Sequence, residues 1–265
     1  MLNLIRADLF KLGKSTAIKI LVGITGLSAL ILTVMAYLIP QGKLDVGMTG
    51  IGFMFSDINM MSILGAVLAG TFICGDFDNK TIHDAIAAGS SRMAVIISKA
   101  IVFFYGIAIL LLPYALATGF ALMNGSEFGM DAVALGFLNL LTSGSGNAFA
   151  APDFLKMLMV MLTLMIVYAS QLSVCVPLAF ALKKPILVVA IYYAITILSA
   201  QLIALSASYE IIDAILARTP FGGDSIFLTM DSGTGDLVSA IIGSLLFMAV
   251  MLVITYGAFR KAEIK

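Results

Sequence analysis

The sequence predicts an all-α integral membrane protein with six transmembrane helices, an N-terminal interfacial helix and short re-entrant helices on the outer side. Composition, the spacing of the charges and the distribution of basic residues between the loops predict it. Of the 265 residues 61% are hydrophobic and 11% charged, with a mean hydropathy of +1.10. An ordinary soluble domain is roughly 45–50% apolar and about 25% charged, so the lipid bilayer is the partner this composition demands. The formal net charge is zero and no long block of like charge occurs, which argues against a nucleic-acid partner.

Crossing about 30 Å of hydrocarbon takes roughly 20 helical residues at about 1.5 Å each. Uncharged gaps of that order run from Lys19 to Lys43, Asp57 to Asp76, Lys99 to Glu127, Lys156 to Lys183, Lys184 to Glu210 and Asp236 to Arg260. The predicted spans are therefore about 19–40, 57–75, 97–123, 155–182, 185–209 and 237–259. The first follows Lys11, Lys14 and Lys19 as a signal peptide would. Its apolar run is too long for one and lacks a small-residue cleavage site, so it reads as an uncleaved span.

Six spans put both termini on one side, and the basic residues of the short loops say which. Arg6, Lys11, Lys14, Lys19, Lys80, Arg92, Lys99, Lys183, Lys184, Arg260, Lys261 and Lys265 fall on one face, twelve of the fifteen Lys and Arg. The acidic residues Asp45, Asp57, Glu127, Asp131, Asp153, Glu210, Asp213, Asp224, Asp231 and Asp236 collect on the other. Both termini are thus predicted to be cytoplasmic, in a multi-pass plasma-membrane protein. Apart from the sequon Asn124-Gly125-Ser126 on the outer face nothing points to a eukaryote, and the chain reads as bacterial.

Before the first span, residues 1–17 form the predicted interfacial helix, with Leu2, Ile5, Leu9 and Leu12 on one face and Arg6, Asp8 and Lys11 elsewhere. Lys183-Lys184-Pro185 makes a tight turn that requires spans four and five to be antiparallel neighbours, with Pro185 opening the next helix. Small residues four apart, Gly65, Ala66, Ala69 and Gly70, allow close helix contact on span two; Pro113 and Pro177 predict kinks in spans three and four. On the outer side, Asp131 can cap a helix over AVALGFLNLL, and EIIDAILAR carries an apolar face of Ile211, Ile212, Ile215 and Leu216 before Pro220-Phe221-Gly222-Gly223 stops it.

Chemical motifs are scarce. Gly13-Lys14-Ser15-Thr16 resembles the end of a phosphate-binding loop, but Asp8 stands where that motif needs its first glycine, and a span follows instead of an αβ unit. A serine–histidine pair, paired membrane aspartates or an HExxH helix, any of which would suit an intramembrane protease, is missing. His83 is the single histidine, and Asp76, Asp78 and Asp84 beside it make at best a weak metal site. Cys74 and Cys175 read as apolar packing residues. The cores of the six spans lack an ionisable residue, which argues against a proton- or sodium-coupled carrier. Asn59, Gln171, Tyr192 and Gln201, with Tyr193 and Thr196, are the polar groups able to line a pathway; interhelical hydrogen bonding is their plainer reading.

The informative stretch is the loop between spans two and three, GDFDNKTIHDAIAAGSSRMAVIISK, residues 75–99. Ile82, Ala85 and Ile86 lie on one face of a short helix there, with Lys80, His83 and Asp84 on the other. Asp76, Lys80-Thr81, Gly89, Ser91-Arg92 and Lys99 follow in an order that resembles the ABC-2 permease family. There an acidic residue, commonly Glu, closes span two, a coupling helix follows, the break after it is commonly Pro, and a lysine opens span three. Asp76 and Gly89 depart mildly from that pattern.

The resemblance implies a six-span permease subunit over 1–265, with Asp76, Lys80, Thr81, Ile82, His83, Asp84, Ala85, Ile86 and Arg92 forming or flanking the coupling helix. It implies no cofactor and no catalysis in this chain, ATP and Mg²⁺ on a separate cytoplasmic ATPase, and a second permease chain, identical or not. The short-loop type looks most like exporters of amphipathic peptides, whether toxin or antimicrobial; 16 Met and 17 Phe suit lipophilic cargo. Export of a lipid, drug or ion is the first alternative and a non-transporting sensor or assembly subunit the second. On this reading the apolar face of the loop helix meets the ATPase, and Asp76 and Lys99 form an exposed ion pair worth about 0–1 kcal/mol.

Overall fold

The computed structural model describes residues 1–130, 134–144, 151–206, 208–209, 211–212 and 216–260. Asp131, Glu210, Asp213, Ile215, Lys261 and Lys265, on which the predicted outer helices and charge balance partly rest, lie outside the described residues. All regular structure among the described residues is helical. Six stretches are long and apolar enough to cross a membrane: Thr16–Leu38, Val46–Asp78, Arg92–Met123, Asp153–Leu182, Pro185–Ser206 and Thr234–Arg260. The chain is a multi-pass membrane protein.

Helix α1 (Leu2–Lys14) and α2 (Thr16–Leu38), the first span, are separated by Ser15 alone, whose hydroxyl caps α2 by accepting from the Ala17 amide at 3.2 Å. The phosphate-loop look-alike at 13–16 is thus a helix junction. Along α2 the hydroxyls of Thr25 and Thr33 return to the carbonyls of Val22 and Ala29, which satisfies them where water is absent.

Span two is the most irregular. It runs through a 3₁₀ turn (Val46–Met48), α3 (Thr49–Met54), α4 (Asp57–Ala69), a π-helical turn (Gly70–Cys74) and α5 (Gly75–Asp78). Its start at Val46, where Asp57 was predicted, has a physical reason: Asp57 is fully buried, so its charge does not mark a water boundary. Next come α6 (Thr81–Ala87) and α7 (Arg92–Met123), which continues unbroken through Pro113. The short α8 (Gly136–Ser143) buries Phe137, Leu138, Leu140 and Leu141. Span four is split at Ser173–Val174, just ahead of Pro177, into α9 (Ala151–Leu172) and α10 (Cys175–Leu182). Then follow α11 (Pro185–Ser206), the turn α12 (Gly223–Ile226) and α13 (Thr234–Arg260).

Spans two, three and four form the core. Ala66 and Ala69 are fully buried, and Gly65 and Gly70 face Leu172 and Pro185 so closely that an added Cβ would come within 2.6 and 2.9 Å of them. Small residues on span two therefore seat spans four and five, as their spacing predicts. Cys74 and Cys175 are buried free thiols. Spans five and six lie outside this core, with only 11% and 17% of their most apolar windows buried.

Candidate functional site

Helix α1 and the last turn of α13 both meet the first turns of α7, at one end of the bundle. At that end α1 folds back against α7. Asp8 and Lys11 are one turn apart on α1, Asp76 closes span two and Lys99 lies in the third turn of α7. The Lys99 ammonium bridges Asp8 Oδ1, at 2.5 Å, and Asp76 Oδ2; Lys11 donates to Asp76 Oδ1 and the Ser98 hydroxyl to Asp8 Oδ2 at 2.8 Å. All four carboxylate oxygens are paired and the charges sum to zero. Lys99 is 4% exposed and Asp76 1%, so this is a buried network, not the exposed pair anticipated. The missing piece was α1, whose Asp8 faces inward and covers the pair. In a low-dielectric setting a complete network is strongly held, and one that has lost a partner is costly.

Helix α6 hangs between the two arms of that network. Lys80, with φ of 58°, turns the chain out of α5, and the Thr81 hydroxyl donates to the Asp76 carbonyl at 3.2 Å. Ile82 is 1% exposed and belongs to the core, with Ala85 and Ile86 partly buried against it. The apolar face thus packs on the chain itself, contrary to the expectation that it meets an ATPase. Lys80, Thr81 and Asp84 are the exposed groups, while His83 sits half-buried, edge-on to Phe77. Arg92 is drawn away from this surface: it donates to the carbonyls of Phe259 at 2.6 Å and Arg260 at 2.8 Å, the last of α13, and lies over the Phe259 ring. A cation at a helix C-terminus is favoured by the exposed carbonyls and the helix dipole.

Between the ends lies a cavity of about 410 Å³, walled by α4, α9, α11 and by Phe221, Ile226 and Phe227. Asn59, Gln171, Tyr192, Tyr193, Thr196 and Gln201, picked out from three separate spans, all line it. Three of them are hydrogen-bonded within the protein, Asn59 inside span two and Thr196 inside its own helix, so that Gln171 alone of the three reaches a separate segment, and it meets a turn carbonyl and not another helix. Asn59 donates to the Phe53 carbonyl and the Ser56 hydroxyl, Gln171 to the Pro220 carbonyl and Thr196 to the Tyr193 carbonyl. Tyr192 and Gln201 make no side-chain hydrogen bond among the described residues, although Tyr192 is 2% exposed. No charged side chain lines the cavity; it is apolar with a few uncharged hydrogen-bonding groups, the usual make-up of a small-ligand site.

Toward the opposite end is a site that sequence reasoning missed. Oδ2 of Asp57 accepts from the Phe137 amide of α8 at 2.9 Å and from the Tyr168 hydroxyl of α9, while Oδ1 has no partner. Gly136, at φ +59°, permits the approach, since a Cβ there would strike both Tyr168 and Asp57. Those contacts join residues 80 and 111 positions apart, beyond any local pattern. The only available signal was an aspartate opening an otherwise uncharged helix.

Among the described residues no group of three or more His, Cys, Asp or Glu is placed to hold a metal ion. Helices, cavity and charge network define the class of molecule, a multi-pass helical membrane protein. Beyond that class, comparison with protein-family models, curated proteins and solved structures finds no match.

Proposed function

We propose that the chain is the membrane-spanning permease subunit of an ATP-driven exporter of the ABC-2 kind, working with a separate ATPase and a second permease chain. In this reading both termini are cytoplasmic, in the plasma membrane of a bacterium, α1 lies in the membrane interface, and the cargo is an amphipathic peptide. The observation that carries it is α6: a short helix on the connection between spans two and three, with Lys80, Thr81 and Asp84 exposed and Ile82 seated in the core, so that force applied at those polar groups reaches the bundle. ATP-driven motion of a partner would pass through this strut as a rigid-body movement. The uncharged, amide-bearing cavity suits a peptide backbone or apolar side chains, and the sparse burial of α11 leaves room for a second chain.

The test is affinity purification of the tagged chain from mild detergent. A P-loop ATPase is expected to co-purify, and Lys80→Glu with Asp84→Lys should reduce its recovery by about tenfold, a loss near 1.4 kcal/mol, without changing the elution of the permease. These exposed positions make the test specific; Ile82→Asp would unfold the segment first. If no ATPase accompanies the unmutated chain, a non-transporting sensor or assembly subunit replaces this reading.

A further inference from the structure

The face of α1 turned away from the bundle is occupied by Leu2, Arg6, Phe10 and Lys14, all exposed, with Phe10 at 69%. Arg6, Phe10 and Lys14 follow at i, i+4 and i+8, so one apolar ring stands with a cation a turn before it and another a turn after it. The Lys14 ammonium lies 5.9 Å from the Phe10 ring centroid. Lys19, exposed in the first turn of α2, adds a further cation five residues after Lys14. Arg6, Lys14 and Lys19 have no carboxylate within ion-pair distance among the described residues. The one acidic residue of α1, Asp8, is buried and committed to Lys99 and Ser98. This surface is therefore purely cationic around an apolar centre.

Where it can go is constrained by the chain. Only Ser15 separates α1 from the first span, and the Asp8 and Lys11 contacts hold α1 against the ends of α5 and α7. A helix fixed so closely to a spanning helix stays at the membrane boundary. Solvated cations beside an exposed ring at that boundary are complementary to acidic headgroups.

We propose that the outer face of α1 is a docking surface for anionic phospholipid headgroups, with Phe10 entering the acyl boundary and Arg6, Lys14 and Lys19 holding the phosphates. Because Asp8 and Lys11 leave the same helix on its other side to meet Lys99 and Asp76, lipid charge is read next to the anchors of α6. The inference stands whether or not the chain is a transporter.

The chain contains no tryptophan, so Phe10→Trp places a single fluorophore at the centre of the surface. The full chain carrying it is reconstituted in lipid nanodiscs of phosphatidylcholine containing 30% phosphatidylglycerol, with bromine on the acyl chains of one lipid or the other. After correction for mole fraction, brominated phosphatidylglycerol is expected to quench at least twice as strongly as brominated phosphatidylcholine. That preference should fall to unity in Arg6→Gln/Lys14→Gln/Lys19→Gln, survive in Arg6→Lys/Lys14→Arg/Lys19→Arg, and weaken at high salt because the surface charges are screened. Equal quenching by both lipids in the unmutated background would overturn headgroup recognition. Emission typical of water with no quenching by either lipid would overturn the docking surface altogether and leave it free for a protein partner.

Discussion

Span two carries two buried carboxylates, Asp76 near one end and Asp57 about a third of the way from the other, and their settings differ. Asp76 is met by two ammonium groups and has both oxygens paired. Asp57 is met by a hydroxyl and an amide on one oxygen, has nothing on the other, and no cation reaches it among the described residues. The first end is held by charge that must stay complete; the second is held by two neutral donors that tie α8 to α4 and α9. The Asp76 end therefore depends on its buried central cation, whereas the Asp57 site keeps a joint between helices with neutral donors alone.

Removing the central cation is the harshest test of that contrast. Lys99→Met leaves Asp8 and Asp76 buried without compensation and should destabilise the protein by about 3–5 kcal/mol, read as the loss of folded protein on heating in detergent. Adding Asp8→Asn and Asp76→Asn to it should restore most of the loss; a Lys99→Met protein as stable as the parent would mean the network is wet.

A smaller net effect is expected at Asp57, because removing it also removes a buried carboxylate with an unpaired oxygen, which offsets part of the loss. Asp57→Ala strands the Tyr168 hydroxyl and the Phe137 amide, each a buried donor worth about 1–3 kcal/mol when left unmade. Hydrogen exchange should accelerate locally at α8. Asp57→Asn keeps an acceptor for both donors and should leave that exchange slow, whereas fast exchange in Asp57→Asn would show that the charge itself is needed.

Lys11 comes last, because its side chain is 46% exposed and still solvated. Lys11→Gln should cost about 0–1 kcal/mol. A loss as large as that of Lys99→Met would place Lys11 among the buried members.

The sequence makes the spans readable because a bilayer imposes a length on charge-free runs, and five of the six begin within a few residues of the expected place. The exception turned on Asp57, where a charge was taken for a boundary. The cavity wall was readable in the same manner: Asn59, Gln171, Tyr192 and Gln201 stand out as polar groups in apolar helices. Period alone shows that Ile82, Ala85 and Ile86 share a face but not what covers it, and the cover turned out to be the protein itself. Asp8 is set apart from the apolar face of α1 by the helical period, but its partner Lys99 stands 91 positions away, beyond any local pattern.

The π-helical turn at Gly70–Cys74 bears on all of this. Such a turn fits one more residue into the coil, and since successive residues of an α-helix are about 100° apart, everything beyond it is rotated by roughly that angle. Span two is a shaft with a phase step cut into it between the cavity and Asp76. Squeezing that step out, by relaxing the turn to ordinary helix, would swing Asp76 off its two lysines while leaving Asn59 in place at the cavity, so the two parts of the shaft need not turn together.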